Sequence, residues 1–187
     1  MTPAGPPVRV LLLADTHLGG SRPGRRLPDA VVAAAVDADA IVHAGDVTDG
    51  ATLDRLAAAA PLHAVRGNND VGLTLPDRLE VELGGCRVAA VHDSGPAAGR
   101  ADRLRRWFPD ADVVVFGHSH LPWHEIDRRA SDGHRQHHVN PGSPTERRRA
   151  PHPTLAWLEL AGGTVLSVRH VAIDGAGGAA TVRGGSW

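Results

Sequence analysis

Short apolar runs that each end in a polar turn recur along the chain and restrict it to a layered fold. The first run, residues 8–14, leads into Asp15, and the next, residues 41–43, is closed by Gly45-Asp46. Between them, residues 28–36 open with Pro and Asp and continue with Ala and Val, a composition typical of a helix. Buried strands that alternate with helices indicate an α/β architecture.

The later part of the sequence favours hairpins. Gly84-Gly85 separates two apolar stretches, and Asp132-Gly133 predicts another hairpin turn. Further strands are predicted at residues 62–65, 79–83, 87–91, 112–116, 154–160 and 164–170, and further helices at 52–60 and 100–108. The chain therefore combines an alternating first half with a hairpin-rich second half.

Length and composition indicate one domain in a reducing compartment. The chain has 187 residues and a formal net charge of −1, so its overall charge does not favour nucleic acid or a membrane surface. Cys86 is the single cysteine, which excludes an internal disulfide and fits the cytoplasm. We expect one domain over residues 1–172, a loose Gly- and Ala-rich tail over 173–187, and no membrane-spanning segment.

Metal-ligand residue types stand at five strand-to-loop junctions. They are Asp15-Thr16-His17, Gly45-Asp46, Gly67-Asn68, His92 and His118-Ser119-His120. Strand ends on one edge of a sheet converge, so we expect these side chains to meet. Two residues separated by one position lie on the same side of an extended backbone, so Asp15 and His17 could bind one cation, and His118 and His120 repeat that spacing. Oxygen and imidazole ligands without sulfur suit divalent ions such as Mn²⁺, Fe²⁺, Ni²⁺ or Zn²⁺.

These ordered motifs resemble those of the calcineurin-like metallophosphoesterase superfamily from residue 8 to about residue 145. The short chain, the Asp15-Thr16-His17 form and the segment Asn140-Pro141-Gly142-Ser143 are similar to the small YfcE-like phosphodiesterase branch. The resemblance implies a four-layer α/β/β/α sandwich of two mixed β-sheets flanked by helices. The alternating first half and hairpin-rich second half of this chain match that architecture.

The resemblance also implies how the ligands divide between two divalent ions. It assigns Asp15, His17 and His120 to the first ion, Asn68, His92 and His118 to the second, and Asp46 to a bridge between them. Two cations about 3.5–4 Å apart would activate a water molecule between them for in-line attack on phosphorus. We expect Mn²⁺, with Ni²⁺, Fe²⁺ or Zn²⁺ as alternatives, and a small phosphodiester as the substrate.

Two positions depart from the superfamily pattern. Many members carry, at the position of Asn69, a histidine that donates a proton to the leaving group, which a neutral amide cannot do. The general acid is therefore unknown, and Asn69 is instead a candidate for substrate binding. His92 is followed by Asp93, where the family usually has glycine.

Other polar clusters have less specific interpretations. Three arginines follow the first motif and are candidates for binding a substrate phosphate, although a charged loop in water is the more frequent outcome: Arg22, Arg25 and Arg26. The segment 140–143 is interpreted as a tight turn that packs beside the site. Three histidines are predicted to lie on a solvated hairpin: His134, His137 and His138.

Two functions other than a small phosphodiesterase remain open. A non-catalytic interaction scaffold of the same fold, like the retromer subunit, would have lost part of the metal set, whereas all the motif positions here hold competent ligands. A nuclease of the superfamily would need a basic surface that contacts DNA, which the neutral charge balance does not favour. We expect no membrane partner, no extended nucleic-acid surface, and a homodimer, because dimers are the commonest oligomers.

Overall fold

A computed structural model of the chain describes residues 5–19, 26–173 and 179–181. In these residues the strands are β1 Val8–Leu13, β2 Ala40–His43, β3 Leu62–Ala64, β4 Arg78–Leu83, β5 Cys86–Val91, β6 Val113–Val115, β7 Trp123–Arg128, β8 Arg135–Asn140, β9 Thr154–Ala161, β10 Thr164–Ile173 and β11 Ala179–Thr181. The helices are α1 Asp29–Val36, α2 Gly50–Ala59 and α3 Arg100–Trp107. Each strand and helix predicted from the sequence overlaps one of these elements.

The strands form two mixed sheets. The first has the order β11-β10-β9-β1-β2-β3, in which β1, β2 and β3 run parallel and β9 runs antiparallel to β1. The second has the order β4-β5-β6-β8-β7, with β5, β6 and β8 parallel and hairpins at both edges. The crossover connections through α1 and α2 lie in the first half of the chain, as its alternating pattern predicts, and a further crossover through α3 joins β5 to β6.

Three apolar clusters show how the layers stack. Leu12 points into a core between the two sheets, where it packs with residues of the second sheet such as Val115. Its neighbour Leu13 points the other way, into a cluster with α1 and α2. Leu104 of α3 covers the outer face of the second sheet. The predicted four-layer sandwich is therefore confirmed.

The hairpin of β7 and β8 is present, but the prediction that its histidines are solvated is wrong. His138 is fully buried and His137 is 8% exposed, while His134 is half-buried beside Asp112. The reason is tertiary: β8 is an interior strand between β6 and β7, its Val139 packs in the core between the sheets, and its Gln136 donates to the carbonyl oxygen of Phe108 at the end of α3. A local turn signal cannot show that a strand will be covered on both sides.

Part of the predicted loose tail is ordered as a strand. Residues 179–181 form β11, which pairs antiparallel with Val171–Ile173 at the end of β10. The rest of the predicted tail beyond residue 173 lies outside the described residues. None of the helices in the described part of the chain is long and apolar enough to span a membrane.

Candidate metal centre

The seven predicted ligands meet along one edge of the sandwich. They follow the carboxyl ends of β1, β2 and β3 in the first sheet and of β5 and β6 in the second. Their donor atoms form two groups, which share Asp46 and are described in turn below. The convergence expected from strand order is therefore observed.

The backbone at these ligands differs from the extended form assumed in the sequence argument. Asp15 and His17 have φ values of 55° and 43°, and Asp46, His118 and His120 also have positive φ. Left-handed backbone is uncommon for residues other than glycine and costs about 1–3 kcal/mol where it is strained. The side chains of Asp15 and His17 therefore converge through two left-handed turns, not through the alternation of a strand.

The first donor group consists of Asp15, His17 and His120. His17 Nε2 lies 3.3 Å from His120 Nε2 and 3.8 Å from Asp15 Oδ1, and His120 Nε2 lies 3.4 Å from Asp15 Oδ1. This spacing is compact enough for one divalent ion to contact all three side chains.

The second donor group consists of Asn68, His92 and His118. Asn68 Oδ1 lies 3.0 Å from His92 Nε2 and 3.1 Å from His118 Nδ1. His118 and His120 therefore belong to different groups, although their spacing in the sequence resembles that of Asp15 and His17. The structure separates them as the family resemblance implies, and not as the spacing argument does.

Asp46 lies between the two groups. Its Oδ2 atom is 3.5 Å from His17 Nε2 and 3.4 Å from His92 Nε2. The backbone N–H and the side-chain amide of Asn69 donate to Oδ1 and Oδ2 of Asp46, at 2.8 and 2.6 Å. We predicted from the sequence that Asn69 binds substrate, and in the structure its amide orients Asp46.

Hydrogen bonds outside the centre prepare two histidines to bind a cation. His92 Nδ1 lies 2.8 Å from the carbonyl oxygen of Ala44, and His120 Nδ1 lies 2.8 Å from that of Glu146. A carbonyl oxygen only accepts, so each Nδ1 carries a proton, and Nε2 is the ring nitrogen that faces the site. Burial, followed by the charges of Arg148 and His17, lowers the pKa of His120 to about 3, which keeps this ring neutral.

The surroundings of Asp15 are those of a metal ligand. It is completely buried, and no group among the described residues donates a hydrogen bond to its Oδ2 atom. Burial raises the pKa of this carboxyl to about 7. A buried carboxylate normally requires a donor or a positive charge, and a divalent ion in the first group would supply that charge. The residues present therefore fit divalent metal.

Asp70 supports the site without entering either group, and the sequence did not identify this role. Its Oδ2 accepts the N–H groups of Asp46 and Gly67 at 2.9 and 2.7 Å, and its Oδ1 accepts that of Thr48 at 2.7 Å. One carboxylate thus joins the loops after β2 and β3. These loops pack so closely that a Cβ on Gly67 would lie 2.2 Å from Asp46 Oδ1, which explains the glycine.

The segment 140–143 acts as a structural brace beside the first group, as predicted. Asn140 Nδ2 donates to the carbonyl oxygen of Gly117 at 2.9 Å, and Ser143 Oγ donates to that of Asp15 at 2.7 Å. These bonds join the loops after β1 and β6. The brace therefore holds two ligand-bearing loops at a fixed separation.

Of the three arginines proposed for phosphate binding, the structure describes one. Arg22 and Arg25 lie outside the described residues, and Arg26 is exposed. A different arginine, Arg148, approaches the centre: its Nη1 donates to the carbonyl oxygen of His118 at 3.2 Å. It follows the brace in the sequence, but no local pattern distinguishes it from Arg147 and Arg149.

A groove of about 760 Å³ opens beside the second donor group. Asn68, His92 and His118 form its inner end, and the loop between β3 and β4 forms a wall that includes Val71 and Leu73. Val71 is 91% exposed, so its apolar surface is accessible to a molecule in the groove.

Comparisons with known proteins agree with this geometry. The family model of the calcineurin-like phosphoesterase superfamily domain matches residues 8–163. A Methanothermobacter thermautotrophicus protein named "Probable metallophosphoesterase" is 33% identical over 141 residues, which cover 72% of this chain and 76% of that protein.

Solved structures share the fold at lower identity. Vacuolar protein sorting 29 (Vps29) from Cryptosporidium parvum matches with a TM-score of 0.76 and 17% identity over 94% of this chain and 96% of that one. Vps29 from Entamoeba histolytica, complexed with Zn²⁺, matches with a TM-score of 0.72 and 19% identity over 94% and 97% of the two chains. The family model spans most of the sequence, and this chain therefore belongs to the calcineurin-like phosphoesterase superfamily.

Proposed function

We propose that this protein is a two-metal phosphodiesterase that hydrolyses a small phosphodiester. The position of Asp46 carries the proposal, because its Oδ2 atom lies within 3.5 Å of a ring nitrogen from each donor group. A carboxylate in that position can bind two ions at once and hold them as a pair. Three further side chains on each side complete the two ligand sets.

We assign Asp15, His17 and His120 to one ion and Asn68, His92 and His118 to the other. When bound, the two cations would acidify water and neutralise charge on the phosphate oxygens, so that no protein nucleophile is needed. The mixed oxygen and imidazole ligands favour Mn²⁺, with Ni²⁺, Fe²⁺ or Zn²⁺ as alternatives. Other groups of the protein orient these ligands. The Asn69 amide donates a hydrogen bond to Asp46, and backbone carbonyl oxygens accept from Nδ1 of His92 and of His120.

The structure supports a substrate with a good leaving group. Asn69 occupies the position of the family's proton-donating histidine, and its amide donates to Asp46. An amide cannot act as a general acid, so the leaving oxygen receives no proton from this residue. We therefore expect p-nitrophenyl esters to react much faster than alkyl esters.

The groove beside the second donor group supports a small diester over an extended polymer. Its volume of about 760 Å³ lies within the range of about 300–1,000 Å³ typical of small-molecule sites. One ester substituent would lie along its apolar wall, against Val71 and Leu73. Cyclic nucleotides fit this description as one chemical class.

Hydrolysis of bis-(p-nitrophenyl) phosphate and of p-nitrophenyl phosphate tests the proposal. Metal-stripped protein is titrated separately with Mn²⁺, Ni²⁺, Zn²⁺ and Mg²⁺, and bound metal is counted in parallel. We expect two equivalents of metal and faster cleavage of the diester. Folded protein that cleaves neither ester with any metal would contradict the proposal.

Asp46→Asn tests the bridge itself. We expect at least about a 100-fold loss of diester cleavage together with weaker binding of the second metal equivalent, because an amide cannot hold two cations. Asp54→Asn is the control, because it makes the same charge change at an exposed position of α2. Unchanged turnover by Asp46→Asn at unchanged metal content would refute the bridging role.

A non-catalytic interaction scaffold is the alternative function. The fold shared with Vps29 structures favours it, whereas the complete ligand set favours an enzyme. Absence of hydrolysis with every metal would make the scaffold the preferred function. The cytoplasmic location and the homodimer stay predictions, and size-exclusion chromatography with light scattering tests the latter.

A further inference from the structure

Arg148 lies beside the metal centre, and no carboxylate in the described part of the chain pairs with its charge. Within residues 5–19 and 26–173, its one hydrogen bond runs from Nη1 to the carbonyl oxygen of His118, and it forms no ion pair. A guanidinium group has five N–H donors, so most of those on this exposed side chain have no acceptor among the described residues. An arginine used only for structure would normally pair with a carboxylate or with several carbonyl groups.

The chain before Arg148 is fixed onto the two ligand loops. Ser143 Oγ donates to the carbonyl oxygen of Asp15, and Thr145 Oγ1 donates to that of Thr16, both at 2.7 Å. The carbonyl oxygen of Glu146 accepts from His120 Nδ1 at 2.8 Å. These contacts determine where Arg148 emerges, two residues later, next to both donor groups.

The backbone of Arg148 is itself unusual. Its φ is 44°, in the left-handed region that residues other than glycine rarely adopt. Such conformations persist where the surrounding structure imposes them, and they concentrate at ligand-binding sites. The turn lets the side chain reach His118 instead of pointing away from the centre.

The charge of Arg148 also acts inside the centre. Burial is the main reason that the pKa of His120 falls, and Arg148 is the next largest cause. Burial raises the pKa of Asp15, and Arg148 is among the groups that oppose this rise. An anion bound at the metals would therefore lie within the field of this arginine.

We propose that Arg148 binds a non-bridging oxygen of the substrate phosphate. This inference rests on the proposed function, because it requires a phosphate at the metal centre. The planar N–H fork of arginine matches two phosphate oxygens, and bonds between charged partners are about twice as strong as neutral ones. This is the role that the sequence suggested for Arg22, Arg25 and Arg26, and for Arg22 and Arg25, outside the described residues, it stays a prediction.

Calorimetric titration of metal-reconstituted protein with inorganic phosphate tests this assignment. We expect Arg148→Ala to bind phosphate about 10- to 100-fold more weakly than the wild type, with unchanged metal content. Steady-state cleavage of bis-(p-nitrophenyl) phosphate should show a KM raised by a similar factor and a smaller change in kcat. Arg149→Ala is the matched control, because Arg149 is an exposed neighbour of the same charge, and it should behave as the wild type.

Arg148→Lys provides a second measurement of phosphate affinity if the alanine variant does not fold. Lysine retains the charge but not the planar fork, so phosphate should bind several-fold more weakly than in the wild type. Equal phosphate affinity in the wild type and the folded variants would overturn the role of Arg148, and so would a wild type that binds no phosphate. Failure of the proposed function is a separate result, since it appears as a wild type that cleaves no ester with any metal.

Discussion

Five of the seven candidate ligand residues have left-handed backbone, and this is the main departure from regular geometry at the residue scale. Asp15, Asp46 and His120 are also at most 2% exposed, so strain and burial of polar groups coincide. Both cost stability unless compensating bonds hold the loops in place. Asp70 supplies such bonds for Asp46, Thr48 and Gly67.

Asp70→Ala tests this compensation. Three backbone N–H groups would lose a charged acceptor, so we expect the free energy of unfolding to fall by about 3 kcal/mol and metal affinity to weaken. Urea unfolding and metal titration measure the two effects. Asp54→Ala, at an exposed position, should change stability by less than about 0.5 kcal/mol. A variant as stable as Asp54→Ala, with full metal affinity, would show that Asp70 does not support the loops.

At the scale of elements, the loop between β3 and β4 joins the metal centre to the groove. It contains Asn68 at the second donor group and continues through Val71 and Leu73 along the groove wall. An apolar substituent that covers an exposed valine removes apolar surface from water, which stabilises the bound state. This loop therefore contributes both a candidate metal ligand and the apolar surface that we expect to affect substrate preference.

Val71→Ala should raise the KM for bis-(p-nitrophenyl) phosphate by up to about tenfold, because it removes apolar surface that the aryl group covers. The KM for methyl p-nitrophenyl phosphate should rise less if the methyl group takes that place. Val36→Ala serves as the control, because Val36 is an apolar residue on α1 that is 68% exposed. Identical KM values for Val71→Ala and the wild type on both esters would exclude contact of the substrate with this wall.

For the whole molecule, buried histidines make stability depend on pH. Burial lowers the pKa values of His43, His137 and His138 to about 4, against about 6.5 in an unfolded chain. Above pH 6.5 these groups are neutral in both states and contribute no pH dependence. Between pH 6.5 and 4 the unfolded chain takes up protons that the folded one does not, so the stability falls as the pH falls.

His138→Gln isolates one of these histidines. In metal-free protein, the loss of unfolding free energy between pH 6.5 and 4 should be smaller in this variant by up to about 1.4 kcal/mol per pH unit. Urea unfolding at several pH values measures the slope. His152→Gln, at an exposed position, is the control and should keep the wild-type slope. The same slope in His138→Gln and the wild type would mean that His138 is protonated alike in both states.

The sequence by itself was sufficient for the order of strands and helices up to residue 173 and for a set of candidate ligand residues that converge. Apolar runs such as residues 8–14 are local signals, and ligand types directly after a strand, such as Asp15 and Asp46, must lie at a sheet edge. These properties depend on neighbours along the chain.

Other features depended on contacts between distant segments, and only the tertiary structure decided them. His138 is buried because β8 became an interior strand, and Asp70 and Arg148 reach the site through loops that are far apart in sequence. The division of His118 and His120 between two donor groups likewise follows from left-handed turns that their spacing does not encode. The burial, backbone strain and electrostatic environment of a residue depend on the segments that pack against it. A local sequence pattern does not specify those segments.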